Sequence, residues 1–249
     1  MDKDLKIIAS INQRIGLKNN QTPIAKKAWY AVGFFFLLII LTFQKWSPIA
    51  GNWALMAFSF FFMIVAFSVA IVFRSRGKKL QKLISTQNLI ASWTLDNAQK
   101  NNYVDYLFKN ELGKNQVILF SISFIAIIVF GLFILFIPEG KLAMLGVLAG
   151  LIIFLALFAF GMPYYYKYKN KQGDGIVLIG KKYAYINGFF HNWDFPLSGI
   201  KSIKIIHKPF YGIRLTYYYT DRTFRHSETL YIPANQDIHL HELIQQFKD

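Results

Sequence analysis

The chain has 249 residues, of which 54% are hydrophobic and only 16% charged, and it carries a net charge of +15. That much apolar material, gathered into long clusters, is more than one water-soluble core absorbs, and it points to the membrane class. Cysteine is absent, which excludes a disulfide framework, a Cys-based metal site and a thiol nucleophile.

Near the start, LKIIASINQRIGLK sets Leu5, Ile8, Ile11 and Ile15 at three- and four-residue spacing, with Lys6, Arg14 and Lys18 largely on other faces. This predicts an amphipathic helix, either lying on the inner leaflet or packed on the chain's own cytoplasmic part. Four apolar runs follow, near 28–43, 53–73, 117–137 and 142–162. Each approaches the ~20 residues needed to cross ~30 Å of hydrocarbon. Trp29, Tyr30, Trp46, Trp53 and the Tyr164, Tyr165, Tyr166, Tyr168 group flank the runs, at the belt positions amphipathic rings prefer. No Asp, Glu, Lys, Arg or His lies inside any run. Coupled transport, proton relay and intramembrane hydrolysis need such groups at depth, so these functions are disfavoured. In the fourth run, Gly146 and Gly150 of GVLAG allow close helix approach, and packing within the chain is favoured over a subunit interface.

Basic residues gather on one side of the runs. They are Lys26 and Lys27 before the first, Arg74, Arg76, Lys78, Lys79 and Lys82 after the second, and Lys167, Lys169 and Lys171 after the fourth. The opposite connectors, QKWSPIAGN and PEGK, lead to only Lys45 and Lys141. The positive-inside rule then places both termini in the cytoplasm and the chain as a multi-pass protein of the inner membrane. These ten cations are the candidate membrane-surface residues, each worth ~1 kcal/mol against anionic lipid. After Lys171 the tail has nine basic and seven acidic residues, so the charge excess is juxtamembrane and a nucleic-acid partner is not expected.

Between the second and third runs, NLIASWTL (88–95) reads as a strand. TLDNAQKNNYVDYLFKNELG then reads as a helix capped by Thr94 or Asp96, ended by Gly113, with Tyr103, Tyr106, Leu107 and Leu112 near one face. A lone strand needs a ladder partner, so it must dock on something. The tail offers one. It contains six alternating or apolar runs, GIVLIG, YAYIN, FFHNWDF, IKSIKIIHK, GIRLTYYYT and FRHSETLYIP, and a closing helix near 235–248. Asn187-Gly188 is the pair that best tolerates a type I′ hairpin turn. Ile238, Leu240, Leu243, Ile244 and Phe247 form the helix's candidate buried set, and the expected shape is a half-open barrel plugged by the helix.

Through the GKKYAYINGFFHNWDF and LTYYYTDRTFRHSETLYIPA hairpins and the closing helix, the tail resembles the PH-like (pleckstrin-homology-like) domains that end many uncharacterised bacterial multi-pass membrane proteins. Such domains have seven strands and the tail supplies six, so NLIASWTL is the expected seventh. The resemblance brings no catalytic residues with it.

Two local motifs fail on their own chemistry. GIVLIGKK has phosphate-loop spacing, but Lys182 stands where a hydroxyl must hold Mg²⁺, and IVLI is a strand whose amides belong to a ladder. HELIQ starts like a zinc-protease helix and has Gln245 in place of the second ligand. The five histidines, His191, His207, His226, His239 and His241, read as exposed or strand-surface residues.

The expected organisation is a cytoplasmic segment 1–27, transmembrane hairpins 28–73 and 117–163 forming a four-helix bundle, a strand-helix insert 74–116, and a PH-like domain 172–249. The expected function is a non-enzymatic integral membrane protein that presents a binding module, without cofactor or metal, to a lipid headgroup or a cytoplasmic protein. The alternatives are a small homo-oligomeric pore gated by the domain and an enzyme whose site is unrecognised.

Overall fold

The computed structural model describes residues 17–87, 89–137, 139–221 and 223–247; the amphipathic segment from Leu5 to Ile15 lies outside them. Four long helices dominate: α1 (Thr22–Phe43), α2 (Trp53–Ile84), α3 (Asn97–Phe136) and α4 (Lys141–Lys171). Their apolar stretches are between 0% and 11% buried within the protein, which makes them surfaces for hydrocarbon instead of a water-soluble core. The chain is a multi-pass membrane protein with a small β domain.

Three of the helices run well past their apolar stretches and form the platform on which the β domain sits. α2 continues beyond Phe73 to Ile84, and α4 continues to Lys171. α3 starts at a full capping box, in which the Asp96 side chain accepts from the Gln99 amide and the Gln99 side chain returns to the Asp96 backbone. It does not stop at Gly113. A glycine ends a helix when it turns left-handed, and Gly113 stays in a ladder that Lys114, Asn115 and Gln116 extend. The polar helix and the third apolar run are therefore one rod of 40 residues, about 60 Å long.

The helices pair as α1 with α2 and α3 with α4, and among the described residues helices of different pairs make no more than marginal contact. The four spans are thus arranged as two hairpins and not as one tightly packed bundle. The reason is visible at the small residues: a Cβ at Gly131, Gly146 or Gly150 would meet nothing within 4 Å, so the close approach predicted for GVLAG is not made within the chain.

The β domain has two antiparallel sheets. The first contains β1 (Leu89–Thr94), β2 (Ile176–Gly180), β3 (Tyr183–Ile186) and β4 (Phe189–Asn192), in that order; the second contains β5 (Gly199–Ile206), β6 (Gly212–Asp221) and β7 (Phe224–Pro233). The docking expected of NLIASWTL occurs, with Trp93 opposite Val177 and Thr94 opposite Ile176. Trp93 Nε1 donates to the Pro233 carbonyl at 2.9 Å and Asn235 Nδ2 to the Thr94 carbonyl at 3.1 Å, so β1 also ties the two sheets together. The barrel does not close. After Asn192 the chain passes through Pro196, which has no N–H, and Leu197, which has φ of 56°, and β4 and β5 belong to different sheets.

Both faces of the first sheet are covered, which explains why IVLI and YAYI show no polar alternation. Val177, Ile179, Ala184 and Ile186 share a core with Trp93, Ile213, Leu215 and Ile232. Leu178, Tyr183, Tyr185 and Phe190 point the other way, onto Leu80 and Leu83 of α2. From α3, Tyr103 and Val104 enter the first core with Tyr106 and Leu107 at its edge, while the predicted Leu112 lies beyond it. The closing helix α5 is shorter than expected, Leu240–Gln246, because Asn235 is engaged with Thr94 and Ile238 N–H turns back to the Asn235 carbonyl. Leu240 and Leu243 are buried as expected, with Ile238, Ile244 and Phe247 packed at the margin.

Candidate functional site

The hairpin turn between β3 and β4 joins the domain to both pairs of helices. Asn187 and Gly188 have φ of 49° and 95°, as a type I′ turn requires. The fully buried Asn187 side chain donates to the Asn170 carbonyl at the end of α4, 2.7 Å away, and accepts from the Gly175 amide at 3.0 Å. On the other side, Asn20 Nδ2 donates to the Gly188 carbonyl and Arg76 Nη2 to the Phe190 carbonyl, both at 2.6 Å. Gly173 lies so close over the turn that a Cβ there would fall 2.3 Å from the Asn187 carbonyl oxygen. One four-residue stretch, Asn187–Phe190, is therefore hydrogen-bonded to the domain-side ends of both helix pairs. Lys79 adds an ion pair to Asp194 at 3.0 Å, and Lys182 approaches the same carboxylate at 3.0 Å. Together they hold that carboxyl below its ordinary range.

Beneath this clasp lies a cleft of about 1510 Å³, bounded by the domain-side ends of α1, α2 and α4 and by the sheets. Ile24, Phe73, Tyr165 and Tyr166 line it on the helix side; Arg76, Lys169, Gln172 and His191 supply polar groups; Tyr217, Tyr219 and Glu228 form the far wall. That wall follows from register. Tyr217 opposes Glu228 and Tyr219 opposes His226, continuing the face that begins with the buried Leu215–Leu230 pair. The core face of the hairpin thus runs on past the core and becomes a shelf. A smaller hollow of about 410 Å³ beside α3 shares His191, Tyr217 and Glu228 with the cleft.

Arg76 has an unusual environment. Its guanidinium donates to Gln21 Oε1 at 3.0 Å and to the Phe190 carbonyl, and it lies 5.5 Å and 5.2 Å from the Phe73 and Phe190 ring centroids. No ion pair to a carboxylate is formed among the described residues. His191, expected to be exposed or on a strand surface, lies on β4 and is half-buried where it lines the cleft. Withdrawal from water, helped by the Arg76 charge, lowers its pKa to about 4, so the ring is neutral near pH 7.

The ten candidate surface cations divide by neighbourhood. Arg76 and Lys79 fasten the β domain, and Lys167 pairs with Asp105 at 2.9 Å while lying 4.4 Å from the Phe108 ring centroid. Lys169 lines the cleft near the Tyr165 ring. Lys26, Arg74 and Lys78 border a separate groove of about 460 Å³ beside Trp29. Lys27, Lys82 and Lys171 are exposed. Sequence reasoning missed Asn20, Gln21 and Asn170. Their only signal was polarity beside an apolar run, and it does not name a partner 168 residues away for Asn20.

IVLI is strand β2, paired on both sides by β1 and β3, and HELIQ lies within α5. Among the described residues, no cluster of three or more His, Asp or Glu side chains is placed to hold a metal. The chain matches no protein-family model, and no curated protein or solved structure shows significant similarity to it.

Proposed function

We propose that this is a non-enzymatic integral protein of the bacterial inner membrane that presents a PH-like binding module at the cytoplasmic face, for lipid drawn from the leaflet in which it sits. One observation supports this above others: the β domain is fastened at Asn187–Phe190 to the ends of both helix pairs, directly over a large cleft at the edge of the apolar spans. A domain fixed there reads the headgroup layer rather than the cytosol. The seven strands and closing helix support the PH-like reading, and the one-sided distribution of basic residues supports the cytoplasmic placement. Fold likeness alone does not name a ligand, so the reading rests on the site.

The test is to purify the full-length chain from its membranes in mild detergent and analyse everything retained by mass spectrometry. Lipid retained with the intact protein at near-equal stoichiometry is the expected result. A stoichiometric protein partner with no retained lipid would replace the reading with a protein-binding module, and retention of neither would refute it.

A further inference from the structure

Resting on that reading, we propose that the cleft holds one phosphate-bearing anionic lipid, with the headgroup at Arg76 and Lys169 and the acyl chains descending between the two helix hairpins. Among the described residues the two hairpins make no more than marginal contact, and a gap between spans is bordered by hydrocarbon, which fills it with lipid chains at no cost in hydrogen bonds. The lining changes character in the matching order. Ile24 and Phe73 lie at the ends of the apolar helices, whereas Arg76, Lys169 and Gln172 occupy the headgroup level marked by the Tyr164–Tyr168 belt. At about 1510 Å³ the cleft exceeds the ~300–1,000 Å³ of an ordinary small-molecule pocket, as a headgroup with its glycerol and upper chains requires.

The charge balance names the headgroup. Lys79 and Lys167 each have a carboxylate within 3.0 Å, but Arg76 and Lys169 form no ion pair among the described residues. Arg76 is half-buried and bonded only to neutral oxygens, an arrangement that leaves its charge to be met by something not part of the chain. Among the described lining residues Glu228, beside Tyr217, is the one carboxylate, set against the two cations Arg76 and Lys169. A guanidinium with free N–H donors favours a phosphate oxyanion over a diffuse cloud of counterions.

Native mass spectrometry of the full-length protein tests this, with phosphatidylglycerol, phosphatidylcholine and free glycerol phosphate as separate additives. One phosphatidylglycerol is expected per chain, bound at least tenfold more tightly than phosphatidylcholine, with glycerol phosphate too weak to compete. Lys169→Gln changes an exposed side chain and leaves the clasp intact; it and Arg76→Gln are each expected to lower the affinity about tenfold. Lys26→Gln and Lys171→Gln, which lie outside the cleft, are expected to change it by less than twofold. Equal losses in all four variants would show diffuse surface attraction and overturn the site. Equal retention of both lipids would overturn the anionic assignment while leaving lipid binding in place. No lipid on the folded wild-type chain would overturn both, and competition by glycerol phosphate would move the ligand from the bilayer to the cytosol.

Discussion

Replacing Asn187 by Ala tests the clasp where its geometry is best defined. The side chain is fully buried and is the hydrogen-bond partner of the Gly175 amide and the Asn170 carbonyl. Truncation leaves the Gly175 amide without that partner, a cost of about 1–3 kcal/mol, while the Asn170 carbonyl keeps the Gly173 amide at 3.1 Å and loses about 0.5–1.5 kcal/mol. The φ of 49° adds about 1 kcal/mol for a residue with a Cβ and no local hydrogen bond. The sum is about 3–5 kcal/mol, and because the β domain shares its cores with the helices of the 249-residue chain, each kcal/mol moves the midpoint by about 2–4 °C. Thermal unfolding of the full-length protein in detergent should therefore show a drop of at least ~6 °C for Asn187→Ala. Asn187→Gly should fall less, by about 1 kcal/mol, because it adopts that φ freely. An Ala variant within ~3 °C of wild type, or one more stable than the Gly variant, would refute the reasoning.

Three further predictions follow from single positions or segments. Gly173→Ala should fail to fold or lose the clasp, since its Cβ meets the Asn187 carbonyl at 2.3 Å, whereas Gly113→Ala, with nothing within 4 Å, should gain about 0.5–1 kcal/mol as a helix interior residue; paired melting curves compare them. Residues 172–249 expressed alone lack β1 and the Leu80–Leu83 face that covers Leu178, Tyr185 and Phe190, so they should collapse without dispersed amide spectra, and a well-dispersed spectrum would contradict the shared core. His191 has its pKa lowered from 6.5 to about 4, so the unfolded chain binds the extra proton between those values. Stability should fall by up to about 3 kcal/mol as pH drops from 6.5 to 4, and His191→Gln should remove that part of the slope in pH-dependent melting.

Much of the fold was legible because its signals are local. The four apolar runs, the six alternating or apolar strand runs of the tail and the Asn187-Gly188 turn each depend on neighbours in the chain, and all appear near where the pattern placed them. Even the long-range pairing of β1 was accessible, since an apolar strand isolated in a polar segment has unmet backbone bonds and must find a ladder. The errors share a different origin. Gly113 and the start of α5 depend on whether the helix ladder or a tertiary contact wins, and GVLAG carries no information about which surface it meets. The cleft was not legible at all. It is formed by what the helix pairs leave open, and the cations beside it look in sequence like the others that follow the spans. Arg76 is separated from Lys79 by two residues, yet only one of them finds a carboxylate.

The measurement that tests the arrangement most directly uses the absence of native cysteine. Single cysteines at the exposed positions Lys45, Lys141, Lys82, Lys171 and Arg225 can be probed with a membrane-impermeant maleimide in sealed vesicles of known orientation. The four-span account predicts that 82, 171 and 225 are labelled only from the cytoplasmic side, and 45 and 141 only from the opposite one. Labelling of 45 and 225 from the same side, or of 225 from outside the cell, would contradict it.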